Sequence, residues 1–222
     1  MIPALRKSTS QNSKSKGGVI VIVDYGMGNL RSVEKAFEVS GAKPKISSSI
    51  KDIEKAGKLV VPGVGAFTHA MQELKARKLV EPIKEKIESG APYLGICLGL
   101  QLLFSHSEEG ERAKGFDVIE GSVVRFKGKM KIPHMGWNTL ELKKKNCPAL
   151  KRVKSDEHFY FVHSYYGVPE DPSWVLARTA YGSRFCSAIW KNNIFATQFH
   201  PEKSQGPGLQ IIKNFINYES GR

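Results

Sequence analysis

The residues best suited to chemistry surround Cys97. The segment Gly95-Ile96-Cys97-Leu98-Gly99-Leu100-Gln101 has glycines two residues before and two residues after the cysteine. A sharp turn from a strand into a helix holds a nucleophile in a strained conformation and needs small neighbours. The amino end of a helix favours a thiolate, and its free N–H groups can face a developing oxyanion. The pattern predicts a nucleophilic Cys97, with the N–H of Leu98 as oxyanion donor and Gln101 as a partner for a polar substrate.

A buried structural cysteine is the alternative for Cys97, because free cysteines are often buried. Cys147 precedes a proline and Cys186 lies in an apolar strand pattern. Neither has glycine neighbours of this kind, so we expect both to be structural.

A general base for the cysteine is predicted near the end of the chain. Thr197-Gln198-Phe199-His200-Pro201-Glu202 ends an apolar strand pattern. A nucleophilic thiol needs an imidazole within hydrogen-bonding reach, and that imidazole needs a carboxylate to fix its tautomer. In extended backbone, His200 and Glu202 would leave on the same face. Taken alone, a capping or surface histidine and a solvated glutamate are the alternatives.

Two further histidines stand in unusual segments. His134 lies in Pro133-His134-Met135-Gly136-Trp137-Asn138, and His163 lies in Phe161-Val162-His163-Ser164-Tyr165. They could position substrate, build an interface or have a structural role.

The glycine loop, Gly63–Gly65, follows a predicted strand and Pro62. Glycines let backbone N–H groups approach a ligand closely. An oxyanion-hole strand with a flipping peptide, a phosphate cradle and a plain turn all remain possible here, although GxGxxG and GxxxxGK[ST] patterns are absent.

In the first half of the chain, predicted strands alternate with predicted helices, and these elements position the residues described above. Apolar periodicity and turn residues predict strands at 19–23, 45–46, 59–61 and 93–96, and helices at about 30–40, 66–77, 79–89 and 98–105. Asn29 can cap the first helix. This alternation predicts an α/β fold with a mainly parallel central sheet flanked by helices.

The second half instead predicts added antiparallel strands, at 118–126, 137–142, 159–164, 175–179, 185–190 and 195–199. Tight turns such as Lys191-Asn192-Asn193 favour hairpins. A closing helix is predicted at about 208–219. Residues 1–18 are rich in Ser, Lys and Gly without periodicity, so we expect a disordered tail or a remnant of cloning, followed by one domain over 19–222.

Composition narrows the class of protein. The 222 residues are 41% hydrophobic, with three cysteines and a net charge of +13. Three cysteines without CxxC spacing fit a reducing compartment, and we expect no metal, no membrane span and no secretory signal. The charge leaves a nucleic-acid-binding module as a hypothesis, but no RNA- or DNA-binding motif accompanies it, so we expect no nucleic acid partner.

Together these segments resemble the class I glutamine amidotransferases, whose GxCxGxQ elbow and terminal HPE are both present. The resemblance runs from about Val19 to the C-terminus. Further segments are similar to the glutaminase subunit of imidazole glycerol phosphate synthase. They are DYGMGNL at 24–30, PGVGAF at 62–67, PHMGWN at 133–138, YFVHSYY at 160–166 and HPEKS at 200–204.

The resemblance implies a flavodoxin-like fold, a Cys97–His200–Glu202 triad and L-glutamine as substrate, with no cofactor. Cys97 would form a γ-glutamyl thioester, His200 would protonate the leaving ammonia and then activate water, and Glu202 would orient His200. It implies oxyanion and glutamine-binding roles for the following residues: Gly63, Val64, Gly65, Leu98, Gln101, Glu109, Ser164 and Tyr165.

The implied partner is a separate (β/α)8-barrel cyclase subunit of the HisF kind, forming a cytoplasmic heterodimer. Ammonia would be channelled to it for histidine biosynthesis, giving imidazole glycerol phosphate and an aminoimidazole carboxamide ribotide. The first 18 residues have no counterpart in the family pattern. A related glutaminase serving another acceptor, such as a surface sugar, and a γ-glutamyl cysteine hydrolase are the alternatives.

Overall fold

The computed structural model describes residues 18–110, 112–154 and 156–219. The predicted tail therefore lies outside the described residues except for Gly18. A central eight-stranded sheet has the order β2-β1-β3-β4-β14-β13-β12-β9. Its strands are β1 (Ile20–Val23), β2 (Lys45–Ser47), β3 (Lys58–Gly63), β4 (Tyr93–Cys97), β9 (Glu141–Leu142), β12 (Val175–Tyr181), β13 (Ser183–Lys191) and β14 (Ile194–Thr197).

The sheet is parallel from β2 to β14 and antiparallel from β14 to β9. Two smaller sheets lie beside it. One pairs β8 (His134–Asn138) with β10 (Phe159–His163), and the other has the order β11-β7-β5-β6. Its strands are β5 (Phe104–Ser107), β6 (Ala113–Lys114), β7 (Ile119–Arg125) and β11 (Tyr165–Pro169). The predicted change from parallel to antiparallel strands is confirmed in the central sheet, whereas β7 pairs in parallel with β5 and antiparallel with β11.

Helices cover both faces of the central sheet. They are α1 (Leu30–Val39), α2 (Ile50–Glu54), α3 (Phe67–Ala76), α4 (Val80–Glu88), α5 (Leu98–Gln101) and α6 (Gln205–Ile216). Alternate residues of β1 belong to two separate cores, because successive side chains of a strand point to opposite faces. Val21 and Val23 pack with α2, α3 and α4, whereas Ile20 and Ile22 pack with α1 and α6.

Side chains secure the ends of the first and last helices. The side chain of Asn29 accepts a hydrogen bond from the N–H of Ser32 at 3.3 Å, as its predicted cap role requires. The ammonium of Lys58, at the start of β3, is buried and donates to the carbonyl oxygens of Phe215, Ile216 and Tyr218 at the end of α6. Burial lowers the pKa of Lys58. This lysine thus binds carbonyl groups in the last turn of the helix and just beyond it, where helix carbonyls lack partners further along the helix.

The predicted helix at 98–105 was too long, since α5 ends at Gln101 and β5 begins at Phe104. Leu102, Leu103 and Phe104 are all fully buried. A continuous apolar run of this length has the same pattern in a buried helix and a buried strand. The predicted strand at 137–142 is divided between β8 and β9, and α2, β5, β6 and β11 were not predicted.

The ends of three parallel strands meet at one edge of the sheet. Gly63 at the end of β3 is in register with Cys97 at the end of β4, and Thr197 of β14 is in register with Ile96. Chemistry-bearing residues that follow these strands are therefore neighbours, as expected at the carboxyl edge of such a sheet. None of the helices within the described ranges has the length and apolarity to cross a membrane.

Candidate active site

Cys97 occupies a strained turn between β4 and α5. Its φ is +54° and its ψ is −104°, a left-handed φ that non-glycine residues rarely adopt. A Cβ at Gly95 would lie 2.6 Å from the carbonyl oxygen of Gly99, and a Cβ at Gly99 would lie 1.7 Å from that of Val61. The two glycines thus let the turn pack directly against β3 and present the sulfur at the edge of the sheet.

Two buried tyrosines hold the backbone around this turn. The hydroxyl of Tyr93 donates to the carbonyl oxygen of Gly99 at 2.8 Å, and that of Tyr25 donates to Pro62 at 2.8 Å. Burial raises the pKa of Tyr25, and the charge of a Cys97 thiolate raises it further. Both hydroxyls therefore stay protonated and act as donors.

His200 and Glu202 form a buried pair beyond β14. The Nδ1–H of His200 donates to Oε1 of Glu202 at 2.8 Å, and each side chain is only 2% exposed. The expectation of extended backbone was wrong, because Pro201–Lys203 form a 3-10 helical turn. The turn brings the carboxylate back to the ring. The N–H of His200 also donates to the carbonyl oxygen of Tyr160 at 2.9 Å.

The electrostatics of His200 depend on its two neighbours. Burial alone would lower its pKa, but Cys97 and Glu202 outweigh burial and raise the pKa to about 10. The ring is therefore an imidazolium at neutral pH when the sulfur is a thiolate. Among the described residues, Nε2 of His200 makes no hydrogen bond of good geometry, although the ring is close enough to Cys97 for the sulfur to raise its pKa.

A cavity of about 320 Å³ opens beside the sulfur. It is lined by Val64, Gly65, Cys97, Leu98, Gln101, Glu109, Pro133, Val162, His163, Ser164 and Tyr165. Seven of the eight predicted oxyanion and glutamine-binding residues thus meet in one place. Gly63 does not line the cavity, because it lies behind it, where a Cβ would be 2.2 Å from the hydroxyl of Tyr25.

Two of the lining side chains also make hydrogen bonds within the protein. The amide nitrogen of Gln101 donates to the carbonyl oxygen of Tyr165 at 2.9 Å and to Oε1 of Gln198 at 3.1 Å. Both of its hydrogens are committed, so only its carbonyl oxygen is available to a ligand. A carboxylate oxygen of Glu109 accepts a hydrogen bond from the N–H of Phe67 at 2.8 Å, at the start of α3.

Gln198 is a neighbour of the sulfur that the sequence analysis missed. Its side chain is fully buried, and its amide nitrogen lies 3.6 Å from Sγ of Cys97. The sulfur also lies 4.0 Å from the carbonyl oxygen of Val162. The sequence feature that could have indicated this role is the position of Gln198, two residues before His200. It also directly follows β14, which pairs with β4.

His134 and His163 form a second buried pair, beside the cavity. Nδ1 of His163 lies 2.8 Å from the carbonyl oxygen of Tyr165 and must donate to it, so its Nε2 accepts from Nδ1 of His134 at 3.1 Å. This arrangement fixes both tautomers in the neutral form. Burial lowers the pKa of His134 to about 4 and that of His163 to about 3.

The other two cysteines lie in different surroundings. Burial raises the pKa of Cys147 to about 11 and that of Cys186 to about 12. Both therefore remain thiols at neutral pH, as structural cysteines do. No cluster of three or more metal-ligating side chains occurs in the part of the chain that the structure describes.

A larger cavity, about 540 Å³, is lined by Gly90, Lys144, Trp190, Lys191, Asn192, Asn193 and Tyr218. Gly90 precedes β4, and Asn193 precedes β14. This cavity therefore lies at the amino ends of the strands whose carboxyl ends carry Cys97 and His200, away from the site described above.

Comparison with known proteins places these features in a family. The class-I glutamine amidotransferase family model matches residues 21–218. Imidazole glycerol phosphate synthase subunit HisH of Syntrophotalea carbinolica is 53% identical, over 89% of this chain and 98% of that protein. The HisH subunit of Geobacter sulfurreducens is 50% identical, over 88% of this chain and 97% of that protein.

Solved structures share the fold at lower identity. A crystal structure of a glutamine amidotransferase matches with a TM-score of 0.71 and 21% identity, over 90% of this chain and 100% of that one. PurLQS from Thermotoga maritima matches with a TM-score of 0.70 and 18% identity, over 91% of this chain and 99% of that one. The fold prediction is confirmed by these matches.

Proposed function

The chain belongs to the class I glutamine amidotransferases, as a glutaminase subunit of the imidazole glycerol phosphate synthase family, and we propose that Cys97, His200 and Glu202 carry its chemistry. The observation that supports this most strongly is a strained, cavity-lining cysteine beside an imidazole that a buried carboxylate orients. That arrangement is what a thiol nucleophile and its acid–base partner need.

In the first half of the reaction, the Cys97 thiolate attacks the side-chain carboxamide carbon of L-glutamine. The electron pair of the C=O bond moves to oxygen, where the N–H of Leu98 and the glycine loop stabilise the oxyanion. The imidazolium of His200 gives its proton to the amide nitrogen, and the C–N bond breaks to release ammonia. A γ-glutamyl thioester on Cys97 remains.

In the second half, neutral His200 takes a proton from water, which attacks the thioester carbon. The C–S bond then breaks, giving glutamate and the thiolate, and His200 is again an imidazolium. Glu202 keeps the Nδ1–H of His200 oriented, so that Nε2 is the nitrogen that exchanges protons. The cavity residues Gln101, Glu109, Ser164 and Tyr165 hold the substrate.

The ammonia acceptor is the substrate of a separate (β/α)8-barrel cyclase. That cyclase forms a heterodimer with this chain in the cytoplasm. The face around the cavity supports this assignment. Met135 and Trp137 of β8, next to the cavity-lining Pro133, are 63% and 47% exposed. Large apolar side chains exposed together mark protein interaction sites. Ammonia released at Cys97 would enter the barrel for histidine biosynthesis, and residues 19–222 would act as one domain.

The test is a glutaminase assay with the cyclase and its acceptor, together with labelling by the glutamine analogue diazo-oxo-norleucine. We expect Cys97→Ala to abolish turnover and labelling, and His200→Ala to lower kcat by about 10³-fold or more. Glu202→Ala should cost less, because it removes orientation and leaves the base. Cys186→Ala, a buried cysteine in β13, is the matched control and should keep both.

A larger decrease of kcat in Glu202→Ala than in His200→Ala would contradict the assigned roles. An unlabelled Cys97 in the active complex would contradict the nucleophile. Stimulation by a different barrel partner and acceptor, with none from the histidine-pathway pair, would support the triad and reassign the pathway.

A further inference from the structure

We propose that Gln198 donates a hydrogen bond to the reacting sulfur of Cys97 and that Gln101 fixes the orientation of the Gln198 amide, a role that rests on the proposed glutaminase chemistry. The starting observation is the distance of 3.6 Å between Nε2 of Gln198 and Sγ of Cys97. This length is within the range of an N–H···S contact.

The direction of this hydrogen bond follows from groups that cannot reverse their roles. The backbone carbonyl oxygen of Tyr165 can only accept, so the NH₂ end of Gln101 must face it at 2.9 Å. The second hydrogen of that NH₂ lies toward Gln198, 3.1 Å away, and needs an acceptor there. Gln198 must therefore present its oxygen to Gln101 and its NH₂ to the sulfur.

Burial makes this orientation hard to escape. Gln198 is fully buried and Gln101 is 5% exposed. A flipped Gln198 amide would place two NH₂ groups against each other and its oxygen against the sulfur. Leaving buried polar groups unpaired in this way costs about 1–3 kcal/mol each. The amide of Gln198 is thus held as a donor.

A hydrogen-bond donor that faces Sγ of Cys97 stabilises the thiolate more than the thiol. A thiolate accepts a hydrogen bond much more strongly than a thiol does, because charge-assisted hydrogen bonds are the stronger ones. Gln198 supplies a neutral dipole to the sulfur, in addition to the charge that a protonated His200 would supply. The amide donor therefore stabilises the thiolate of Cys97 relative to its thiol.

The same connection couples the sulfur to the cavity. Gln101 lines the cavity, and its remaining carbonyl oxygen is the end available to a ligand. A ligand bound there would meet an amide whose other end holds Gln198. Substrate recognition and the position of the nucleophile are therefore linked through two side chains.

The test is the pH dependence of Cys97 alkylation by iodoacetamide, followed on the Cys97 peptide by mass spectrometry, in the full-length chain. Gln198→Leu keeps the volume and removes the donor, so we expect the pH of half-maximal rate to rise by about one unit. With the cyclase and its acceptor, kcat for glutamine should fall about tenfold, while KM changes by less than about twofold.

Two further variants make the result specific. Gln198→Glu keeps an acceptor for Gln101 but places a carboxylate beside the sulfur, so the pH of half-maximal alkylation should rise further than in Gln198→Leu. Thr197→Val is the matched control. It removes a buried hydrogen bond at the residue next to Gln198, from Thr197 to the carbonyl oxygen of Phe199 at 2.9 Å, and should leave the alkylation profile unchanged.

An unchanged alkylation profile in Gln198→Leu would overturn the inference, as would an equal shift in Thr197→Val. If Gln198→Leu does not fold, Gln198→Met decides in its place, because methionine has a similar length, no charge and no N–H donor. Because alkylation does not require glutamine turnover, a shifted profile in a chain without glutaminase activity would uphold the hydrogen bond and reject the proposed function. Normal glutamine turnover of the wild type, with an unchanged alkylation profile in Gln198→Leu, would support the proposed function and reject the hydrogen bond.

Discussion

At the scale of single residues, the conformation of Cys97 opposes folding. Its φ of +54° lies where a side chain crowds the backbone, at a cost of about 1–2 kcal/mol. The fold tolerates this cost because the sheet and the neighbouring glycines determine the path of the turn. The strain places Sγ at the cavity instead of in the core.

A comparison of two small substitutions measures that strain. We expect Cys97→Gly to have a higher free energy of unfolding than Cys97→Ala, by about 1 kcal/mol, because glycine adopts this φ without crowding. At Cys186 in β13, which is not among the residues of positive φ, the order should be reversed. Urea unfolding of the four variants gives both differences, and the same order at the two cysteines would contradict strain at Cys97.

The buried histidine pair has a consequence for stability in acid. His134 and His163 have pKa values lowered to about 4 and about 3, below the usual value of about 6.5 in an unfolded chain. Between these values the unfolded chain binds more protons than the folded one. The contribution of the neutral histidine pair to the free energy of unfolding is therefore fully present above about pH 6.5. It decreases as the pH falls towards 4.

We expect each histidine to contribute roughly 2 kcal/mol to the loss of unfolding free energy between pH 7.5 and pH 5. His134→Gln replaces one of them by a neutral hydrogen-bonding side chain, and should reduce that loss by about this amount. Denaturant unfolding at the two pH values measures it. An unaltered pH dependence in His134→Gln would show that His134 titrates normally.

At the scale of secondary structure, the elbow is defined by what its glycines allow to approach. Gly99 packs against the backbone of β3, where a Cβ would be 1.7 Å from the carbonyl oxygen of Val61. Backbone cannot rotate away as a flexible side chain can. Any side chain at this position must separate α5 from β3.

We expect Gly99→Ala to lower the free energy of unfolding by about 3 kcal/mol or more and to abolish turnover, because backbone overlap leaves no room for relaxation. Gly206 in α6 is the matched control, since a Cβ there meets nothing within 4 Å. Gly206→Ala should be neutral or stabilise by up to about 1 kcal/mol. Thermal unfolding and a glutaminase assay on both variants check this, and similar stability losses would contradict the packing argument.

Elements were predictable where their signals are local. The strand before Cys97, the cap at Asn29 and the change to antiparallel strands follow from patterns within a few residues. The end of α5 was missed because Leu102, Leu103 and Phe104 fit a buried helix and a buried strand equally well. The role of Gln198 was missed because it depends on β14 lying beside β4, and pairing between distant strands leaves no local pattern.

At the scale of the whole molecule, the exposed pair Met135 and Trp137 lies near the cavity, because Met135 is paired with the cavity-lining Val162. We expect Met135→Ala combined with Trp137→Ala to weaken association with the cyclase at least tenfold and to reduce acceptor-stimulated glutaminase activity. The stability of the isolated chain should change little, because both side chains are largely exposed.

Val39→Ala is the control, since Val39 is 64% exposed on α1, outside this region. It should leave association unchanged. Isothermal titration calorimetry with the cyclase measures all three proteins. Equal affinity of the double variant and the wild type would place the partner elsewhere.

The parallel strands also give the molecule two unlike sides, with Cys97 at the carboxyl ends of the strands and Tyr218 near their amino ends. Lys58 and Tyr218 tie the last helix to the amino-end side, where Tyr218 donates a hydrogen bond to the carbonyl oxygen of Asn192 at 2.9 Å. A dye, bead or resin coupled beside Tyr218 would therefore be attached on the side of the molecule away from Cys97. The mouth beside Cys97 would stay open to the solution, so that an immobilised chain could still recruit its companion and be observed while working.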